Sequence, residues 1–130
     1  MGVQAQVISL MAAEQTPLAV ALVYEGLSLF EFSICTEVFA SKKPEVEGPW
    51  YRFAAVAVEM ETVSASGGVS VRADAPLSLI DEADIILVPG WPGRDHRLPP
   101  GLKERLQAAH GRGARLVTFC SGAFLLAAAG

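Results

Sequence analysis

Two uninterrupted apolar runs, LAVALVY at 18–24 and IILV at 85–88, constrain the fold more tightly than anything else in this sequence. A strand with one wet face alternates apolar and polar residues, whereas a run apolar throughout is covered on both faces, the habit of parallel strands between helices. Helical patterns fall between such runs. From Leu27 to Ala40 the apolar positions Leu27, Phe30, Ile34, Val38 and Phe39 recur at helical spacing, ahead of Lys42-Lys43-Pro44. YRFAAVAV (51–58) reads as a second strand, and TVSAS and VSVRAD around Gly67-Gly68 read as a hairpin. PLSLIDEAD (76–84) is a short helical connector. Pro99-Pro100 opens a helix whose Leu102, Leu106 and Ala109 share one face, and Gly111 and Gly113 close it before the strand RLVTF. The order βα, βββ, βα, βα predicts an α/β protein, a flavodoxin-like three-layer sandwich whose mainly parallel sheet carries a β-hairpin excursion. Residues 1–16 read as a flexible leader to a single domain over 17–130.

Composition narrows the function. A chain of 130 residues that is 52% hydrophobic can bury roughly two-thirds of its unfolded surface in one domain. The net charge of −4 argues against a nucleic-acid surface, which needs clustered Lys and Arg. Six of the ten basic residues do lie between 94 and 115, and they read as a solvated helix face with its flanking loop. The first sixteen residues hold no Lys or Arg and are broken by glutamines and Glu14, unlike a signal peptide. No run approaches the roughly 20 apolar residues of a membrane span, so no membrane partner and a cytoplasmic location are expected. The two cysteines, Cys35 and Cys120, lie in no C-x-x-C or Cys/His pattern, so no disulfide framework, metal or cofactor is expected.

In an open parallel sheet, ligands bind beyond the carboxyl ends of the strands, so the loops after residues 24, 88 and 119 should converge. RLVTFCSGAFLLAAAG places Cys120 where a strand gives way to a small, alanine-rich helix. A thiol there sits above unpaired helix N–H groups that favour thiolate, and Ser121, Gly122 and Ala123 leave it uncovered. The mechanics match a nucleophile elbow, although Thr118 stands where G-x-S-x-G patterns carry glycine. Glu31, on the apolar face of the first helix, must find a partner, stay protonated or reach solvent at the helix edge. Protonated, it can donate to a Cys120 thiolate. Amides near Gly90 and Trp91, with that of Ser121, can form an oxyanion hole, or VPGW can be an ordinary strand-ending turn. The Trp91 ring either walls a pocket or packs on the sheet. Cysteine hydrolases need an imidazole. His110 reads as a solvated helix residue, His96 as a loop residue able to fold over the site, and Cys35 as core packing.

YEGLSLFEFSICTEVF, IILVPGW and RLVTFCSGAFLLAAAG resemble the ThiJ/PfpI superfamily, whose domain is class I glutamine amidotransferase-like. The resemblance runs from about residue 18 to the end. It places the elbow cysteine at Cys120, the carboxylate that hydrogen bonds it at Glu31, and the oxyanion amides at Gly90-Trp91 and Ser121. The chain is most similar to the N-terminal domain of AraC-family transcription regulators. That likeness implies an effector-sensing, dimerising domain, with a small-molecule effector and with DNA contacted through a C-terminal helix-turn-helix domain absent from this chain. Family domains continue past the elbow helix, so this one is expected to be incomplete on its C-terminal side. Ser121 replaces the histidine that follows the cysteine in the protease-like branch, which argues against peptidase or deglycase activity. The alternative implied is a cysteine-dependent small-molecule hydratase or hydrolase similar to isocyanide hydratase, in which aspartate usually stands at the Glu31 position.

Overall fold

The computed structural model describes residues 2–4, 16–92 and 97–130; the rest of the expected leader, and Arg94, Asp95 and His96, lie outside these. In chain order the elements are β1 (Leu18–Val23), α1 (Leu29–Cys35) continued by a π-helical turn over Thr36–Ala40, β2 (Arg52–Ala57), β3 (Thr62–Ser64), β4 (Ser70–Arg72), a 3-10 segment (Leu77–Glu82), β5 (Ile85–Val88), α2 (Leu102–Gly111), β6 (Arg115–Thr118) and α3 (Gly122–Ala129). Four strands form one sheet in the order β2-β1-β5-β6, every pair parallel. The two continuous apolar runs supply its central strands, and all ten residues of those strands are buried. β3 and β4 pair antiparallel as the expected hairpin, turning through Gly67 and Gly68 at φ 75° and 78°, a region other residues enter only with strain.

The sheet separates two apolar layers. Val20, Leu22, Ile86 and Val88 project into one with Leu102 and Leu106 of α2 and Leu125 of α3. Ala19, Ala21, Ile85 and Leu87 project into the other with Cys35 of α1, flanked by Phe39, Tyr51 and Phe53. Period-two alternation along each strand thus feeds helices on both faces and yields the expected three layers. The outer edge of β6 is less covered, and a groove of about 780 Å³ runs along it between Leu106, Leu116, Val117 and Leu126.

The first helix departs from its expected phase. Leu27 is buried but precedes the helix, in a turn where its N–H donates to the Tyr24 carbonyl at 3.1 Å. With the helix beginning at Leu29, Phe32, Cys35 and Phe39 face the core, while Phe30 and Val38 are 76% and 45% exposed. The β3–β4 hairpin braces this turn. Gly26 N–H donates to the Ser64 carbonyl (3.0 Å), Ser66 N–H to the Leu27 carbonyl (2.9 Å) and Leu29 N–H to Ser66 Oγ (2.9 Å).

Candidate functional site

Parallel strand order carries the ends of β1, β5 and β6 to one rim, and the three loops meet there. Gly90 is the meeting point. Its N–H donates to Glu31 Oε2, a bond between residues 59 apart in sequence. A Cβ at position 90 would collide with that carboxylate and lie 3.3 Å from Ser121 Oγ. Glycine thus lets both side chains close on this position without giving way. Of the alternatives the sequence left open for Glu31, a partner, protonation or solvent, the structure shows a partner, and it is a backbone amide; among the described residues no hydrogen bond joins Glu31 to Cys120.

Cys120 is exposed and adopts φ 49°, so among the described residues it is the non-glycine residue in the left-handed region. Such a conformation costs on the order of 1–3 kcal/mol, and persists because the flanking structure fixes it. Phe119 N–H still pairs with the Val88 carbonyl (3.0 Å), and Gly122 N–H closes the turn on the Phe119 carbonyl (2.8 Å). The absent Cβ of Gly122 matters most here. One placed there would collide with the Val88 carbonyl oxygen and lie 2.9 Å from that of Pro89. The glycine lets α3 start against β5, and this holds the thiol out at the rim.

Trp91 is half-buried and packs its ring edge-on against Tyr24, with centroids 4.8 Å apart at 75°, so its ring packs on the core beside the sheet. Ser121 is brought to Gly90 and Glu31, with Cys120 its neighbour in the chain. His110 sits in the last turn of α2, leading toward the start of β6, whereas Cys120 follows its end. Among the described residues, no group of three or more His, Cys, Asp and Glu could hold a metal ion.

Tyr24 is the residue that sequence reasoning passed over. Buried at the end of β1, its hydroxyl donates to the Pro89 carbonyl and, at 3.1 Å, to that of Gly90. Burial above all, with the nearby Glu31 and Cys35 charges, raises the phenol well beyond its ordinary range and keeps it a donor. The available signal was a tyrosine closing an otherwise aliphatic run, since a buried phenol needs a partner. Cys35 is fully buried, its thiol 3.5 Å from the Glu31 carbonyl. Burial pushes that thiol up to about 12; a backbone hydrogen bond opposes the shift and the Glu31 charge adds to it.

Residues 18–130 match the DJ-1/PfpI family. The chain belongs to that family. Solved structures with the same fold as this DJ-1/PfpI domain include a candidate transcriptional regulator protein from Vibrio parahaemolyticus, at TM-score 0.74 and 21% identity over 88% of this chain and 61% of that one. An AraC family transcriptional regulator from Pseudomonas putida gives 0.66 and 17% over 85% and 69%. Drosophila melanogaster DJ-1beta gives 0.72 and 18% over 88% and 60%. At these identities the likeness is one of fold. The DJ-1/PfpI domain thus spans about three-fifths of the Vibrio and Drosophila chains. Comparison with curated proteins gives no match. Among its described residues, no helix is long and apolar enough to cross a membrane.

Proposed function

We propose that this domain is the effector-sensing and dimerising part of an AraC-type transcriptional regulator in the cytoplasm, with Cys120 as a reactive thiol beside the effector site and DNA contact assigned to a separate helix-turn-helix domain. One observation carries the reading. The Gly90 N–H, a donor that an oxyanion hole would need free, is already held by the Glu31 carboxylate. Ser121, beside the thiol, offers a hydroxyl in place of an imidazole. A rim whose donor is satisfied at rest suits binding better than turnover. The regulators among the structural relatives support the same direction.

A second reading has its own support. An exposed thiol in a left-handed strand-to-helix turn is the geometry a nucleophile uses, as in a small-molecule hydratase or hydrolase similar to isocyanide hydratase. A thermal-shift screen of neutral metabolites, isocyanides and small aldehydes separates the two. A ligand at 100 times its Kd stabilises the fold by about 2.7 kcal/mol. Recovery of the ligand unchanged, with the shift retained in Cys120→Ala, supports sensing. Consumption that disappears in Cys120→Ala establishes the enzyme instead.

A further inference from the structure

We propose that Tyr24 is the positioning residue of this site: its hydroxyl fixes both peptide planes of the Pro89-Gly90-Trp91 turn, and through them the amide that holds Glu31. The inference rests on reading Glu31, Gly90 and Cys120 as one site.

The argument is geometric. In a trans peptide the C=O and the following N–H point in opposite directions. The carbonyls of Pro89 and Gly90 share the single Tyr24 hydroxyl proton, so both face the buried end of β1. The N–H groups of Gly90 and Trp91 therefore face the other way. The first of them meets Glu31. One peptide unit is thus gripped at both ends, by the phenol on its oxygen and by the carboxylate on its nitrogen. Donation to a carbonyl polarises the amide, so each grip strengthens the other.

The clamp answers a need the sequence creates. Glu31 and Ser121 close on position 90, where the sequence has glycine, the residue with the least conformational restriction, and where peptide orientation decides what the rim presents. A pin from outside the turn replaces the missing Cβ restriction. Pro89 and Gly90 are buried, so no water-facing partner substitutes for the phenol at their carbonyls. The Trp91 ring closes over the Tyr24 ring edge-on and holds the turn from its other side.

Tyr24→Phe tests this, since it retains the ring and its contact with Trp91. Amide signals of Gly90 and Trp91 are followed by NMR on the 130-residue chain, with Val20 and Ile86 as references in the sheet, alongside the Cys120 alkylation rate. Gly90 exchange should rise about tenfold, the net worth of one hydrogen bond, and its proton should move upfield while the references stay put. Unchanged Gly90 and Trp91 signals in a folded Y24F overturn the clamp. Shifted amides with unchanged Cys120 labelling uphold the clamp and remove Cys120 from the site. If Y24F does not fold, Glu31→Gln asks the question from the other end. With the phenol in place, Trp91 N–H keeps its wild-type shift, and loss of that shift would mean that Glu31 alone orders the turn.

Discussion

At pH 8 the buried thiol should alkylate at least three orders of magnitude more slowly than a free one, from ionisation alone. The thiolate is the nucleophile, and an ordinary thiol with pKa of about 8.5 is roughly one-quarter ionised at that pH. Cys35, pushed up to about 12, is ionised in about one molecule in 10⁴. The ratio is on the order of 10³, before the cost of opening the sheet–helix contact that leaves Cys35 with no exposed surface. Cys120 is exposed at its turn and meets no such barrier. Iodoacetamide labelling of the native chain, quenched over time and read by peptide mass spectrometry, should therefore modify Cys120 at least 10³ times faster than Cys35. Between pH 8 and 11 the Cys35 rate should climb about tenfold per unit, and in strong denaturant the two thiols should converge. Native rates within tenfold of each other would refute both the burial of Cys35 and the exposure of the elbow.

Three further outcomes follow from the packing. Gly122→Ala should destabilise by about 1–3 kcal/mol in urea unfolding, because its Cβ meets the Val88 and Pro89 carbonyls; helix propensity alone predicts a gain of about 1 kcal/mol, so the sign decides. Leu27→Ala should cost about 2–5 kcal/mol, whereas Phe30→Ala should stay within about 0.5 kcal/mol, and equal losses would restore the helix phase expected from sequence. Stability should be full below about pH 8.5 and fall by up to about 1.4 kcal/mol per unit as pH rises toward 12, because unfolded Cys35 ionises first. Thermal melts of Cys35→Ala should show a shallower alkaline slope, and an identical slope would exclude Cys35 as its source.

The layer order was legible because burial writes itself into local composition. LAVALV and IILV are apolar without interruption and became the central strands; Leu102, Leu106 and Ala109 became the buried face of α2. The first helix misled for a physical reason. Its pattern was counted from Leu27, which is buried by a turn, and the helix starts two residues later and ends in a π turn, which adds a residue and rotates the stripe. The candidate site was half legible. Residue types announced a thiol at an elbow and a carboxylate on an apolar helix face. The partner itself was hidden, because a backbone N–H has no residue type and the direction of the Gly90 amide is set by a turn in the fold.

The long reach of the Gly90 contacts also sets an order of assembly. Glu31 and Tyr24 leave the ribosome 59 and 65 residues ahead of the groups they bind. At synthesis rates of about 5–20 residues per second, that is a wait of roughly 3–13 s, during which the carboxylate is solvated and the aliphatic run of β1 has no neighbour at β5. The hairpin, closing a span of 37 residues onto Leu29, can dock earlier and hold the start of α1 in place. Protection of the Gly90 amide therefore marks the joining of β1 and α1 to the end of β5, and a nascent chain that stalls before β5 carries Glu31 and Tyr24 with nothing to bind.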